Sequence, residues 1–365
     1  MNNCAKKKWS IVMIELTSHC NFNCSFCPSS EMNRKKSIMP RKLWEKIIVE
    51  LGEKNMTDTV FFHIVGEPLM HKDVFEAIRL ANYYDIAVSL YTNGALLDTE
   101  RSSKLLDTLK KGRVVLSIQD INGESFEKRS RGSLSWKEYI EKLVSFVLLA
   151  EQHINNIPIQ IHYLSDIKSL GWNFFKIFKE QKRIQAIYDR WKLILGNRNK
   201  NKINIYNPAA AYQLGKVSSF FVKHAGNWDN MHIEREVEVK PCEKGHCAVM
   251  TDTFAILSDG TCTFCCNDYE GDLNLGNAYQ RNLEDIFNGK KSSYIRKIER
   301  KGKFVANRCK ICRGNLVFKK SQKRVPSQNG LTDYYLFKEH FARYGFKSAM
   351  RKVMGTMRQH GLNFR

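Results

Sequence analysis

The sequence lacks any apolar run long enough to cross a bilayer. Its longest clean run, from Leu143 to Ala150, contains a serine and falls far short of the roughly 20 residues that a transmembrane helix needs. A secretory signal is also missing, because Glu15 interrupts the first apolar stretch and no small-residue cleavage site follows it. We therefore expect a cytoplasmic protein whose cysteines are reduced.

Acidic residues are few relative to basic ones. The chain has 59 lysines and arginines against 37 aspartates and glutamates, which gives a formal net charge of +22. Such an excess can attract nucleic acid, phosphorylated metabolites or an acidic membrane surface. A lysine-rich protein with solvated basic faces explains it equally well, so charge alone does not select a function.

Internal repeats and low-complexity tracts are missing too, while 43% of the residues are hydrophobic and 26% are charged. This composition excludes a disordered tail protein or a collagen-like fibre. A length of 365 residues favours two domains, or one large barrel with an appendage.

The first part of the chain alternates between strand-like and helix-like segments. We predict strands at 10–16, 59–65, 86–91, 114–118, 157–163, 203–206 and 217–223, with amphipathic helices between most of them. A further helix is predicted over 283–300. Strand–helix–strand alternation indicates parallel strands joined by helical crossovers, as in a barrel or a doubly wound sheet.

Three cysteines follow the first predicted strand. Cys20, Cys24 and Cys27 have the spacing C-x3-C-x2-C, and thiolate is the ligand that soft metals and iron–sulfur clusters select. A structural zinc site needs four ligands, and His19 could complete one. Without a local fourth cysteine, the trio fits a 4Fe–4S cluster with one iron left open. The odd total of 11 cysteines also fits a disulfide framework poorly.

Short polar motifs follow the next three strands. Gly66-Glu67-Pro68 comes after the second strand and Thr92-Asn93-Gly94 after the third, and Ser117 ends the fourth. Each motif alone is weak, since Asn-Gly is usually only a turn. Their joint placement is more informative, because the C-terminal ends of parallel barrel strands converge on one mouth where chemistry is built.

The first cysteine loop, residues 20–28, reads Cys-Asn-Phe-Asn-Cys-Ser-Phe-Cys-Pro and resembles the cluster loop of the radical S-adenosylmethionine (SAM) enzymes. The 66–68 turn resembles the methionine-binding motif of that family, with Val65 in place of its first glycine. The resemblance implies that SAM chelates the open iron and is cleaved to a 5′-deoxyadenosyl radical that abstracts hydrogen from the substrate. The cofactor-binding residues that it implies are Phe26, Gly66, Glu67, Pro68, Thr92, Asn93 and Ser117.

A second cysteine cluster lies between residues 240 and 315. Cys262-x2-Cys265 with Cys309-x2-Cys312 has the pairing of a zinc ribbon. The cluster also resembles the SPASM/twitch module, which holds an auxiliary 4Fe–4S cluster in the same superfamily, and four thiolates suit such a cluster. The auxiliary ligands that this resemblance implies are Cys247, Cys265, Cys309 and Cys312.

Two substitutions within this ligand set stay open, because Cys242 could replace Cys247 and Cys266 could replace Cys265. Cys262 is expected to be an ordinary thiol. The run C-x2-C-x5-C-x3-C of the full SPASM module is missing, so we predict one auxiliary cluster.

These observations predict three regions. Residues 10–239 form a radical SAM barrel of the partial (β/α)6 TIM type, residues 240–316 a small cysteine-rich SPASM/twitch-like module, and residues 317–365 a basic helical extension. The extension carries 11 basic and 2 acidic residues. It could contact an anionic membrane surface peripherally, or pack on the barrel with its lysines in water.

The resemblance implies an oxidoreductase that resembles a dehydrogenase and takes electrons from flavodoxin or ferredoxin. A sugar, aminocyclitol or similar small metabolite is the expected substrate. A ribosomally made precursor peptide is the alternative, although peptide modifiers usually have a peptide-binding domain before the barrel and the first strand here begins near residue 10. A non-catalytic cluster protein that binds nucleic acid would leave the SAM motifs unused, so no nucleic-acid partner is expected. The candidate substrate contacts are Gln119, Asp120, His162, Tyr163 and Asn227.

Overall fold

The computed structural model describes residues 8–24, 27–118, 126, 134–165, 174–207, 209–224, 237–247 and 249–318. The strands in these ranges are β1 (Ile11–Ile14), β2 (Thr59–Phe62), β3 (Ala87–Thr92), β4 (Gly112–Ile118), β5 (Ile159–Ser165), β6 (Tyr212–Gln213), β7 (Ser218–His224), β8 (Val237–Lys240), β9 (Thr253–Ile256), β10 (Thr261–Thr263), β11 (Gly276–Asn277) and β12 (Asn315–Phe318). The helices are α1 (Arg41–Glu53), α2 (Val74–Tyr83), α3 (Thr99–Thr108), α4 (Trp136–Gln152), α5 (Phe174–Ile194), α6 (Val249–Asp252), α7 (Leu283–Phe287), α8 (Lys290–Arg300) and α9 (Asn307–Cys312). None of the helices in these ranges has the length and apolar character that a membrane span requires.

One sheet organises the molecule, with its strands in the order β11-β10-β9-β1-β2-β3-β4-β5-β7-β6. From β1 to β5 and on to β7, every neighbouring pair is parallel. Helices α1 to α5 lie in the connections between these strands, as right-handed crossovers require. The predicted fold class, six parallel strands of a partial (β/α)6 barrel, is therefore confirmed.

The crossover helices form where apolar periodicity meets good end signals. Helix α1 buries Leu43, Trp44, Ile47, Ile48 and Leu51 on one face. Helix α4 begins with a capping box in which the Ser135 side chain accepts from the Glu138 backbone and the Glu138 carboxylate accepts from the Ser135 backbone. Such a box satisfies two backbone donors that would otherwise be unpaired.

The two faces of the sheet bury different side chains. Val12 and Ile14 of β1 pack with the helices in the main apolar core. Met13 points to the other face, where it joins a smaller cluster with Ala255 and Leu257. The helices α1 to α4 contribute to the first of these clusters. We call the opposite face of the sheet, with the smaller cluster, the barrel interior.

The cysteine-rich module extends this sheet. Strand β9 pairs in parallel with β1, with Thr253 opposite Ile11, and β10 returns antiparallel to β9. Strands β8 and β12 pair with each other, with Lys240 opposite Asn315. The start and end of the module are thus paired with each other, while its central hairpin continues the barrel wall.

Two predicted elements are wrong. Residues 203–206 are buried but form no strand, because they pack against α5, where the Ile203 backbone N–H donates to Gln185 Oε1 at 2.9 Å. The predicted helix over 283–300 is two helices, interrupted at Asn288 and Gly289. A Cβ on Gly289 would lie 2.9 Å from the Asp285 carbonyl oxygen, so the chain turns tightly there.

Candidate active site

The loop after β1 brings the first three cysteines together. The Cys27 backbone N–H donates to the Cys24 carbonyl at 3.0 Å, and the Phe22 N–H donates to Cys20 Sγ at 3.4 Å. The pKa of Cys20 is raised to about 11, mainly by burial and then by Glu67 and Cys24. That of Cys27 is raised to about 12, mainly by burial and then by Cys24 and Cys20. Three thiolates packed this way repel one another unless a cation holds them. The donor set therefore fits an iron–sulfur cluster bound by this loop.

The turn after β2 approaches this loop closely. The Glu67 backbone N–H donates to the His19 carbonyl at 2.9 Å. A Cβ on Gly66 would lie 1.9 Å from the Thr17 carbonyl oxygen, so only glycine fits there. Val65, which replaces a glycine of the family motif, is buried at 5% exposure, and the left-handed backbone falls instead on Ile64, with φ +106°. A β-branched residue in that region is strained.

Glu67 joins the motifs after β2 and β3. Its carboxylate accepts from Thr92 Oγ1 at 2.7 Å, the Asn93 N–H at 2.8 Å and the Leu69 N–H at 3.1 Å. Burial raises the pKa of Glu67 to about 7, while these hydrogen bonds oppose that rise. Asn93 Nδ2 in turn donates to Asn21 Oδ1 at 2.9 Å, inside the cysteine loop. The Glu67 side chain therefore holds the two motifs against the loop.

A line of rings and polar groups crosses the barrel interior. The ring centroids of His63 and Tyr91 are 4.5 Å apart, those of Tyr91 and His162 6.1 Å, and those of His162 and Phe221 5.2 Å. Burial lowers the pKa of His63 to about 4 and that of His162 to about 3, with nearby positive charge adding to the shift at His162. Both imidazoles are therefore neutral at neutral pH.

The sequence analysis named only one of these interior residues, His162. The others could have been found from a pattern that several predicted strands share. In each of these strands, a polar or aromatic residue alternates with the apolar residues of the core. These residues are Phe61, His63, Tyr91, Arg113, Phe221 and Lys223.

The other predicted substrate contacts differ in outcome. Tyr163 follows His162 and so points to the opposite face, where it is fully buried and its hydroxyl accepts from Arg183 at 2.7 Å. The structure therefore places Tyr163 on the helix side of the sheet, away from His162. Ser117 lies opposite His162 in the sheet and is half-buried. Phe26, Gln119, Asp120 and Asn227 lie outside the described residues, as does the 319–365 extension.

Three cysteines of the second cluster lie together. The pKa of Cys309 is raised to about 12, mainly by burial and then by the neighbouring Cys312 and Cys247. The loop that carries Cys265 contacts them through Asn267, whose Nδ2 donates to Cys312 Sγ at 3.8 Å. Burial also raises the pKa of Cys265, and Cys266 is the next cause. These donors fit an iron–sulfur cluster, which spreads its thiolates over several irons.

The remaining cysteines of the module have other surroundings. Cys262 is fully buried in the main core. The Cys242 thiol donates to the Lys244 carbonyl at 2.9 Å. Within the described residues, no three His, Cys, Asp or Glu side chains stand close enough to share a single metal ion. Ligands at the corners of a cluster stand further apart than those around one ion.

A buried ion pair joins the barrel to the module. Glu15 follows β1, and both its oxygens accept from Arg34 Nη2, at 3.0 and 2.8 Å. Ser258, which follows β9, donates to the same carboxylate through its N–H at 2.9 Å and its hydroxyl at 2.8 Å. Arg34 Nε donates to the Tyr269 carbonyl at 2.9 Å. The segment after the cysteine loop is therefore tied to the hairpin of the module.

Comparison with known proteins matches both regions. Residues 14–146 match the model of the radical SAM superfamily, and residues 247–313 match that of SPASM, an iron–sulfur cluster-binding domain. The predicted resemblance to a radical SAM enzyme with a C-terminal SPASM module is thereby confirmed, as are the predicted cofactors, SAM and 4Fe–4S clusters.

Two curated relatives have different activities. An S-adenosyl-L-methionine-dependent 2-deoxy-scyllo-inosamine dehydrogenase of Niallia circulans is 30% identical over 104 residues, 28% of this chain and 42% of that protein. A PqqA peptide cyclase of Bradyrhizobium diazoefficiens is 31% identical over 97 residues, 26% of this chain and 25% of the cyclase. The chain thus spans less than half the length of either relative.

A solved structure extends the similarity over the whole fold. The structure of anSMEcpe with bound AdoMet is 17% identical, with a TM-score of 0.54, over 97% of this chain and 99% of that one. At this identity the match shows a shared fold.

Proposed function

We propose that this chain, a radical SAM enzyme with a C-terminal SPASM domain, oxidises a small metabolite inside its barrel. When bound, the cluster would supply the electron that cleaves SAM, and SAM would supply the 5′-deoxyadenosyl group that removes a hydrogen atom from the substrate. The observation that carries the proposal is the joint placement of three thiols, Gly66 and the Glu67 network at the C-terminal ends of parallel strands. Cys20, Cys24 and Cys27 would hold the cluster.

Each of the surrounding residues then has a definable task. The Glu67 carboxylate already accepts three hydrogen bonds, so it keeps the loops in register and leaves the backbone of its turn to meet the amino group of SAM. Ser117 and His162 face each other across β4 and β5 below this mouth. His162 Nε2 lies 3.1 Å from Gln160 Oε1, which leaves Nδ1 to accept a hydrogen bond from a substrate hydroxyl.

The auxiliary site would be held by Cys247, Cys309 and Cys312 with Cys265 as the fourth ligand. An auxiliary cluster placed there suits an oxidation, because it can accept the second electron from the substrate. The dehydrogenase relative supports this substrate class. The peptide cyclase relative supports a precursor peptide as the second candidate.

The first test replaces Cys20, Cys24 and Cys27 together by alanine. After anaerobic reconstitution, the variant should lose about four irons per chain and should form no 5′-deoxyadenosine from SAM with dithionite. Cys262→Ala is the matched control, because that thiol is buried in the main core, and it should keep both properties. Formation of 5′-deoxyadenosine by the triple variant would refute the proposal.

The second test separates the two substrate classes. Aminocyclitols and sugars deuterated on carbon, and deuterated peptides, are supplied to the reconstituted enzyme, and deuterium in 5′-deoxyadenosine is measured by mass spectrometry. We expect transfer from a small metabolite. Transfer only from peptides would select the second candidate.

A further inference from the structure

One arginine side chain lies in the barrel interior. Arg113 is near the start of β4, opposite Ser89 of β3. Its guanidinium carbon lies 5.4 Å from the centroid of the Phe61 ring. Burial raises the pKa of Tyr91, and the nearby Arg113 opposes that rise. The Nε of Arg113 is buried and has no hydrogen-bond partner among the described residues. Arg113 therefore still has a donor to offer inside the barrel.

The described residues supply no carboxylate within ion-pair distance of this guanidinium. The carboxylate that follows β1 is Glu15, and Arg34 and Ser258 occupy it. Withdrawing a cation from water costs several kcal/mol unless an opposite charge compensates it. The ring of Phe61 and the phenol of Tyr91 compensate only part of that penalty. Because Arg113 is half-buried and its Nε is buried, a negatively charged group beside it would compensate the rest of that penalty.

Other interior groups respond to this positive charge. Burial lowers the pKa of Lys223, and Arg113 lowers it further. Burial is also the main cause of the low pKa of His162, and Lys223, Arg113 and His63 add to it. Lys223 Nζ lies 5.0 Å from the centroid of the Phe221 ring. Arg113 on β4 and Lys223 on β7 thus form one positive region, beside the neutral rings of His63 and His162.

This positive region lies near residues of both cysteine clusters. The small apolar cluster of the barrel interior contains Met13, Ala255 and Leu257, and both Cys27 and Cys266 pack against it. Cys266 is also close enough to Tyr91 to raise the pKa of that phenol. Phe61, whose ring lies beside the Arg113 guanidinium, packs against the same small apolar cluster. A molecule bound at Arg113 would therefore lie near residues of both cysteine clusters.

We propose that the barrel interior binds the substrate and that the substrate carries a carboxylate or a phosphate held by Arg113. A guanidinium matches both groups through paired N–H donors, and the rings of Tyr91 and Phe221 would flank the rest of the molecule. The inference rests on the proposed function and narrows its substrate to anionic metabolites.

The test measures binding of two probes, inorganic phosphate and acetate, to the reconstituted holoenzyme by equilibrium dialysis at constant ionic strength. Arg113→Gln should weaken the binding of at least one probe about tenfold or more, and Arg113→Lys should restore part of it. The matched control is Arg79→Gln, an exposed arginine on α2 paired with Glu76, which should bind as the unaltered enzyme does. The probe that responds distinguishes a phosphate from a carboxylate substrate.

A second readout locates the bound probe. Reduced iron–sulfur clusters are paramagnetic and should broaden the NMR signal of a probe bound near them, phosphorus-31 for phosphate and carbon-13 for acetate. Arg113→Gln should remove that broadening. Equal probe binding by the unaltered enzyme and Arg113→Gln would overturn the inference. Weaker SAM binding, or loss of iron, in Arg113→Gln would also overturn it, since Arg113 would then serve SAM or a cluster.

Failure of the proposed function gives a different result. In that case the unaltered protein forms no 5′-deoxyadenosine, whereas dialysis still reports whether anion binding depends on Arg113.

Discussion

The ion pair between Glu15 and Arg34 offers a sharp test of how the barrel holds the cysteine-rich module. Replacing Glu15 by alanine removes the acceptor of four hydrogen bonds, two from Arg34 Nη2 and two from Ser258. The Arg34 side chain is only 8% exposed, and that of Glu15 is fully buried. The variant therefore leaves the buried guanidinium with only Asp259, whose Oδ2 lies 4.0 Å from Arg34 Nη1 and whose side chain is 36% exposed.

The expected loss follows from that burial. Removing one partner of a buried ion pair costs about 3–5 kcal/mol of unfolding free energy. An exposed pair is worth about 0.2–1 kcal/mol. The pair of Arg41 and Glu45 serves as the control, because its N–O distance is 2.6 Å but its side chains are 58% and 38% exposed. Glu45→Ala should therefore change stability little.

The assay is anaerobic urea unfolding of the reconstituted protein, followed by circular dichroism. Glu15→Ala should unfold at a clearly lower urea concentration than Glu45→Ala. The double variant Glu15→Leu with Arg34→Met should recover much of the loss, because an apolar pair no longer strands a charge. Equal losses for Glu15→Ala and Glu45→Ala would show that the buried charge is not what joins the two regions.

Three further predictions address the clusters, the close turn and the interior histidines. Cys309→Ala should bind about four fewer irons than Cys262→Ala after reconstitution, and equal iron would remove Cys309 from the ligand set. Gly66→Ala should lower the unfolding free energy by about 1–3 kcal/mol, because its Cβ meets the Thr17 carbonyl; unchanged urea unfolding would contradict this. The pKa values of His63 and His162 are lowered to about 4 and 3 in the folded protein. As the pH falls, these histidines therefore bind protons in the unfolded chain before they do so in the folded protein. Stability should then fall below about pH 6.5 by up to about 1.4 kcal/mol per pH unit for each histidine, and the double glutamine variant should flatten that fall.

The cysteine loop and its companion motifs illustrate what can be predicted locally. The spacing of Cys20, Cys24 and Cys27 is a property of eight consecutive residues, and the Gly66 and Thr92 motifs directly follow strands whose apolar patterns are clear. Parallel strands then bring their ends together whatever the details of packing. Phe26, which was also predicted to belong to this part of the site, lies outside the described residues.

Residues 203–206 and Tyr163 show what could not be predicted locally. Residues 203–206 have the apolar pattern of a strand, but their burial comes from α5 and no neighbouring strand pairs with them. Tyr163 was assigned to the mouth with His162, although adjacent strand residues point to opposite faces. The local sequence pattern does not show which of these two side chains points into the barrel interior.

The sequence by itself determined the chemistry-bearing loop, the six parallel strands and the presence of a second thiol cluster, because each depends on residues close together in the chain. Only the tertiary structure decided that β9 would pair with β1 and that Glu15 would meet Ser258, contacts between segments more than 200 residues apart. It also decided that Arg113, His63, Tyr91 and His162 share one interior. Such contacts depend on the register of every strand in the sheet. Burial of the helix-covered face fixes that register, and the alternate side chains of each strand then point toward the barrel interior.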